Sequence, residues 1–413
     1  MQAMKRRSFI LSKSLSAATF LMGGIAKSQS AVSDPIGTFK PFIARNRLPD
    51  PIIIESLELY NRGSQWFIRA RSKDGAEGWS VGHPKKTELS QQVFTKVIAP
   101  YMLGKDARDL DRLIDGVFLG GSNYKMQGQL FWVQLAAAEF AILDLLGKVA
   151  KCSVADLLGG SLRNQIDLYI ANNHRSKDPK ESLKRIIESV ESIDAKALKI
   201  KIGGRMKVTD VVSNRTEKII PMVAESLGDK CTLYADANSS YLSVKKAIEV
   251  GKMLEENKYS FFEEPVPFDY LEETKRVAEA LEIPVAWGEQ ESSQWRFKWM
   301  VENSGVRIFQ PDIFYYGGLI RSLRVARMAA AKGYDCTPHI SGGGLGFIYM
   351  GIFAACCPNP GPFQEYKGLT NSFPWKSSGD KIIVRNGSMT APNGHGIGVD
   401  IDPDYLAKAE RVE

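Results

Sequence analysis

A series of ionisable residues recurs along this chain at nearly even spacing: the pair Lys199 and Lys201, then Asp236, Glu263, Glu289, Asp312 and His339, with Glu365 last. From Asp236 to His339 each step is 23 to 27 residues, about the length of one strand plus one helix. Carboxylates ending three successive strands, Asp236, Glu263 and Glu289, can converge on one point. An all-oxygen donor set with room for water and substrate suits a hard cation, of which Mg²⁺ is the natural candidate. Without a cation the three charges repel and raise one another's pKa. Lys199 and Lys201 stand two apart on a strand, so their side chains share a face. A like charge and a nearby cation both disfavour protonation there, which makes Lys201 a usable base. His339 ends a later strand, and an aspartate on the neighbouring strand, Asp312, can take one imidazole N–H and leave the other nitrogen to face a substrate.

The elements that must hold these residues can be read from the periodicity. From Pro51 the chain predicts an antiparallel meander over 52–60, 65–72 and a third run through Trp79, followed by helices, the clearest over 130–149. This is a small α+β unit over about 45–160. Beyond Gly160, apolar strands at 166–171, 197–202, 232–236, 260–263, 285–289, 306–310, 335–339 and, more weakly, 363–366 alternate with helices such as 244–257, 271–282, 319–332 and 345–356. Eight strands separated by crossovers predict an α/β fold, a (β/α)8-type barrel over 161–370. Barrels place active sites at the C-terminal ends of their strands, where the polar residues above fall. The Gly- and Pro-rich tail, 371–413, is expected to fold back on the N-terminal unit.

Composition narrows the function classes. With 413 residues, 44% hydrophobic and 24% charged, the chain can bury a large core, and no uninterrupted apolar run approaches the ~18 residues of a membrane span. Of the net charge of +7, five units come from Lys5, Arg6, Arg7, Lys13 and Lys27, so the body is nearly neutral and lacks the footprint of a nucleic-acid binder. Cys152, Cys231, Cys336, Cys356 and Cys357 follow no disulfide or zinc spacing and read as buried thiols. Residues 1–30 run from Lys5-Arg6-Arg7 through a weakly apolar stretch to small residues. That order resembles a twin-arginine export signal and implies a periplasmic or exported protein, cytoplasmic if the leader does not function.

The order Lys-Ile-Lys at 199–201, Ala-Asp-Ala-Asn at 235–238, Glu-Glu-Pro at 263–265, Gly-Glu-Gln at 288–290, Gln-Pro-Asp at 310–312 and Pro-His at 338–339 resembles the mandelate racemase subgroup of the enolase superfamily. Asp144-Leu-Leu-Gly-Lys and Leu157-Leu-Gly-Gly precede it, and the resemblance spans about residues 50–405. It implies a modified TIM barrel with an N-terminal capping domain, Mg²⁺ on Asp236, Glu263 and Glu289, and a Lys or His base acting through an enediolate. By the same resemblance Lys199 tunes Lys201, the His339–Asp312 dyad is the second acid/base, and Glu365 is a protonated acid donating to the substrate carboxylate. Asn238 holds substrate or a water beside the metal. The assignment within the pairs Glu263/Glu264 and Glu289/Glu291 rests on the motif alone. Family members are usually symmetric homo-oligomers.

Asn172, Asn173 and His174, ending the first barrel strand, offer hydrogen-bonding groups to a polyol chain, so the expected substrate is an acid sugar and the expected reaction its dehydration. Racemisation or epimerisation and cycloisomerisation of a sugar lactone are the alternatives. A glycosidase would not need the Lys pair and the Asp–His pair, and nothing favours an exported sugar-acid binding protein. In the N-terminal unit, the turn 61–65 and the segment around His83 are the candidate substrate contacts.

Overall fold

The computed structural model describes residues 40–341, 344–368 and 383–413; the export-signal segment and part of the tail, 371–382, lie outside them. The chain enters an antiparallel meander of β1 (Ile54–Arg62), β2 (Gln65–Ser72) and β3 (Glu77–Val81). The β1–β2 turn has Gly63 at φ 61°, in the left-handed region that glycine enters without a Cβ clash. Helices α1 (Pro84–Val93), α2 (Ala99–Met102), α3 (Leu110–Leu119), α4 (Gln129–Val149) and α5 (Val154–Leu157) follow. By length and apolarity α4 alone among the described helices would reach across a bilayer, but 94% of that stretch is buried inside the protein. It lies against β3 so closely that a Cβ on Gly78 would fall 2.3 Å from the Ala141 carbonyl oxygen.

The barrel strands are β4 (Gln165–Ala171), β5 (Ala197–Lys201), β6 (Thr232–Asp236), β7 (Phe261–Glu263), β8 (Val285–Trp287), β9 (Ile308–Phe309), β10 (Asp335–Cys336) and β11 (Gln364–Tyr366). Between them run α6 (Pro179–Ile193), α7 (Arg215–Leu227), α8 (Val244–Glu256), α9 (Leu271–Ala280), α10 (Gln294–Asn303), α11 (Leu319–Ala330) and α12 (Leu345–Cys356). Each strand from β4 to β10 pairs in parallel with the next, and β11 returns to pair with β4. The seam between β10 and β11 is bridged by Cys336 N–H donating to the Asn359 carbonyl at 2.7 Å and Thr337 Oγ1 donating to Pro360 at 2.7 Å. The fold is therefore a (β/α)8-type barrel with an N-terminal α+β cap. After β11, a hairpin of β12 (Val384–Arg385) and β13 (Ser388–Thr390) adds to the outer part of β4. A short α13 (Pro403–Leu406) leads to β14 (Glu410–Val412), which joins the cap's sheet beside β1.

Cap and barrel share one apolar core. Phe140 of α4 stacks on Tyr349 of α12 at 3.8 Å between ring centroids, and the Glu139 carboxylate accepts Leu319 N–H at 2.6 Å and Ile320 N–H at 2.9 Å, capping α11. Gly318, at φ 107°, makes that approach possible, since a Cβ there would meet Glu139 Oε2 at 1.7 Å. All five cysteines are free and buried.

Candidate active site

The pleat sorts the inward faces into two layers. Alternation places Tyr169 of β4, Tyr234 of β6 and Phe261 of β7 inside the barrel, Tyr234 and Phe261 stacked at 4.0 Å. Two residues further along the strands, the same face carries charge: Lys199 and Lys201 on β5, Asp236 on β6, Glu263 on β7. Ladder register pairs Lys201 with Asp236 and Asp236 with Glu263. An aromatic floor thus lies beneath a charged layer, and Lys199 Nζ sits 5.2 Å from the Tyr169 ring centroid.

Asp236, Glu263 and Glu289 each offer an oxygen within 4.8 Å of the others, and all three are buried. Glu263 Oε1 has no hydrogen-bond partner among the described residues. Three buried carboxylates with an orphaned oxygen between them fit a hard divalent cation. The electrostatics point the same way. Burial and the Asp236 charge push the Glu263 carboxyl up to about 8 despite Lys199. Burial also opposes ionisation of Asp236, but Lys201 and Lys199 reverse this and hold it below the usual carboxylate range. His339 does the same for Glu289.

The motif pairs are resolved by geometry. Glu264, buried with φ 41°, is not one of the three converging carboxylates, and its Oε2 accepts from Ser239 Oγ at 3.5 Å. Glu291 accepts Ser292 and Ser293 N–H at 2.8 and 2.6 Å, just ahead of α10.

On one side of the cluster Lys201 is ion-paired with Asp236 Oδ2. On the other, His339 Nε2 lies 3.2 Å from Glu289 Oε2 while its Nδ1 meets Asp312 Oδ2 at 2.6 Å. The second oxygen of Asp312 accepts Phe314 N–H, Tyr315 N–H and Ser341 Oγ at 2.8 to 2.9 Å, so the carboxylate that orients the imidazole is itself fixed. Burial alone would disfavour the imidazolium, but Glu289, Glu365 and Asp312 raise the His339 pKa above its ordinary value.

Lys199 donates to Glu263 Oε2 at 2.7 Å and lies 2.9 Å from Glu365 Oε1. Burial would strip its proton, but these two carboxylates hold its pKa well above the ordinary value, so Lys199 is the fixed cation of the pair. Glu365 departs from the expectation of a neutral acid. Burial favours its protonation, yet Lys199, Lys367 and His339 together pull its pKa well below the usual range. In this arrangement it is an ionised acceptor that takes Ile340 N–H at 3.2 Å.

The first-strand residues expected to meet a polyol are placed otherwise. Asn172 donates its amide to the Lys199 carbonyl at 3.0 Å, tying β4 to β5. Asn173 is exposed, and His174 lies in a depression lined by Glu181, Lys184, Arg185 and Glu188 of α6, on the outside of the barrel. Asn238 sits at the carboxylate cluster, its N–H and amide donating to the two Asp236 oxygens at 2.7 and 3.1 Å. Of the two cap segments, His83 packs against the rings of Phe314 and Tyr315 at 5.7 and 5.6 Å. The 61–65 turn binds instead to the tail, Arg62 donating to the Tyr405 carbonyl at 2.8 Å.

Sequence reasoning assigned no role to several contributors. Gln310 donates to Glu263 Oε2 at 2.9 Å. Gln129 of α4 accepts from Lys86 at 2.7 Å and donates to Gln290 at 3.0 Å, and Gln290 donates to Glu289 at 2.8 Å, a chain of hydrogen bonds from the cap to the cluster. Arg175 donates to Asn238 Oδ1 at 2.8 Å. Lys367 Nζ stands 2.8 Å from His339 Nε2 and 3.1 Å from Glu365 Oε2. Lys367 lies two positions beyond Glu365, the i, i+2 relation that groups Lys199 with Lys201, so the signal was present.

Comparison with known proteins agrees with this geometry. Residues 45–159 match the mandelate racemase / muconate lactonizing enzyme N-terminal domain, and residues 182–405 match the enolase C-terminal domain-like family. The arabinonate dehydratase of Saccharolobus solfataricus is 28% identical over 76% of this chain and 82% of its own length. The D-galactarolactone cycloisomerase of Agrobacterium fabrum is 25% identical over 90% and 98%. A crystal structure of a mandelate racemase/muconate lactonizing protein from Paracoccus denitrificans, complexed with magnesium, superposes with a TM-score of 0.77 at 28% identity, covering 87% of this chain and 99% of that one. With both family domains in order around a shared acidic cluster, the chain belongs to the mandelate racemase group of the enolase superfamily of enzymes.

Proposed function

We propose that this enzyme removes the α-proton of an acid sugar and expels the β-hydroxyl as water, a dehydration that depends on Mg²⁺ at Asp236, Glu263 and Glu289. The observation that carries the reading is the placement of two proton-transfer groups, Lys201 and the His339–Asp312 dyad, on opposite sides of one carboxylate cluster. Bound there, Mg²⁺ supplies positive charge facing the substrate carboxylate and offsets the charge that builds up as the enediolate forms. Lys201 takes the proton from the α-carbon. His339, as the imidazolium that its anionic neighbours favour, gives a proton to the β-hydroxyl, the C–O bond breaks and water leaves. The remaining enol tautomerises to a 2-keto-3-deoxy acid, so substrate equals product plus water. Lys199 stays charged and holds Glu263 and Glu365 in place. The curated relatives named as arabinonate, galactonate and L-talarate/galactarate dehydratases support this choice of reaction.

Two acid/base groups flanking one carbon also suit epimerisation, and the cycloisomerase relative keeps that branch and lactone isomerisation as the second reading. Incubating the Mg²⁺-loaded enzyme with a set of acid sugars in D₂O decides between them. A 2-keto-3-deoxy product supports dehydration, deuterium at the α-carbon without loss of water supports epimerisation, and neither result in any sugar overturns the proposal. We further propose that the twin-arginine-like leader exports the enzyme; finding the full-length protein only in the cytoplasm of the native cell would refute this.

A further inference from the structure

We propose that Arg175 and Arg205 form a clamp for a second anionic group at the far end of the substrate, and that this group is a carboxylate: the substrate is an aldarate, a sugar carrying acid groups at both ends. The inference rests on the reading above and deepens it.

Neither arginine takes part in the proton chemistry, yet the fold ties the segments that carry both to the residues just beyond Asp236. Arg175, in the loop after β4, reaches Asn238, whose own N–H and amide are on the metal ligand Asp236. Its Nε is buried without a partner among the described residues. The loop that carries it is laced down by Arg215, 1% exposed, which donates to the carbonyls of Ser176 at 2.8 Å and His174 at 3.2 Å.

Arg205 sits in the loop after β5, where three consecutive non-glycine residues, Arg205, Met206 and Lys207, have φ of 71°, 46° and 69°. Such residues are unfavourable one at a time and rare in a run. Here the surroundings impose the conformation: Arg205 N–H donates to Ser240 Oγ, Met206 N–H to the Asn238 carbonyl and Lys207 N–H to the Ser239 carbonyl, each at 2.8 Å. The strained loop is thus stitched to the segment just beyond Asp236. Its product is an exposed guanidinium with no ion pair among the described residues, on a loop tied to the same Asn238–Ser240 stretch that Arg175 reaches.

Two arginines carried on segments tied to the same Asn238–Ser240 stretch, one with an Nε lacking a partner among the described residues, are complementary to an anion that accepts from both. They stand on the β4–β6 side, beyond Asn238, whereas the acid group next to the reacting carbon belongs at the metal cluster. A substrate spanning the two positions carries negative charge at each end. A terminal carboxylate and a terminal phosphate share that chemistry; planar carboxylate matches the fork of a guanidinium in two parallel hydrogen bonds.

The test compares galactonate and galactarate, which share a carbon skeleton and differ at the far terminus, together with 6-phosphogluconate, on the Mg²⁺-loaded full-length enzyme. The expected result is a kcat/KM at least tenfold higher for the diacid, carried mainly by KM, and a fall of that diacid-to-monoacid ratio by tenfold or more in Arg205→Met and Arg175→Met. Arg205 is exposed, so its variant avoids doubt over folding. Equal rates for the two acids, or an unchanged ratio in both variants, overturns the clamp while a 2-keto-3-deoxy product from either acid leaves the proposed function standing. Preference for the phosphorylated acid overturns the carboxylate assignment. If no acid exchanges its α-proton, the proposed function fails, and calorimetric binding of galactarate decides the clamp separately: weakening in the variants supports it, and absence of binding overturns it.

Discussion

The ammonium of Lys367 lies 2.8 Å from Nε2 of His339, the imidazole nitrogen left free by Asp312. It also donates to the Ile340 carbonyl at 2.8 Å and pairs with Glu365, so it is held from three directions at once. Replacing it with methionine leaves His339 between Glu289 and Glu365 without an opposing positive charge. Lys367→Met is expected to lower kcat roughly tenfold or more, the lower part of the range for loss of acid/base assistance. Lys367→Arg, which keeps the charge, is expected to recover part of it. Steady-state kinetics with an accepted acid sugar checks both.

Lys201→Ala and His339→Ala are each expected to cost ~10²–10⁴-fold in turnover while Mg²⁺ binding survives, because neither residue is among the three carboxylate ligands. Asp312→Asn keeps the shape of the side chain but lets the amide donate where the carboxylate accepted, which favours the wrong imidazole tautomer. A loss of about 10²-fold or more is expected there. Full activity in any of the three variants would remove the role assigned to that residue.

Chelation is expected to abolish activity without unfolding the chain. Lys199 and Lys201 already neutralise part of the Glu263 and Asp236 charge, so the metal-free barrel keeps its counter-ions. Returning Mg²⁺ at 100 times its dissociation constant should stabilise the protein by ~2.7 kcal/mol through preferential binding to the folded state. Glu263→Gln should blunt that increment. Melting curves with and without the ion provide the readout.

Stability should also carry a signature of Glu139. Burial pushes this carboxyl from an ordinary 4.5 up to about 8, against the two N–H groups it accepts. The folded state therefore binds the proton more tightly than the unfolded chain. Its contribution is fully present below pH 4.5 and is lost as pH rises through about 8, on the order of a few kcal/mol. Urea unfolding from pH 5 to pH 8.5 should show this decline in the wild type and a flatter profile in Glu139→Gln. Gly318→Ala, which drives a methyl group into the same carboxylate at a left-handed φ, should cost at least about 2 kcal/mol at any pH.

Much of this site could be read from the sequence because barrel geometry converts spacing into position. The run predicted at 232–236 is the observed β6, and Asp236 follows from it directly. Later strands are shorter than their apolar runs: 285–289 contracts to Val285–Trp287 and 335–339 to Asp335–Cys336. Glu289 and His339 therefore reach the centre from loops, a distinction that strand propensity does not encode. Asn172 and His174 show the opposite limit. Polarity at a strand end marks a residue for hydrogen bonding without saying whether the partner is a ligand, as for Asn238, or the neighbouring backbone. The charge state of Glu365 was out of reach because it depends on Lys199 and His339 converging on it from separate segments.

Helix α4 belongs by chain order to the cap, yet its flanks pack on α11, α12 and β3 at the same time, and Glu139 terminates a barrel helix. Neither module is then expected to fold alone. A chain divided near residue 160 would leave one piece with a bare apolar rod and the other with an open socket of the same shape, so the two halves should recover activity only when refolded together.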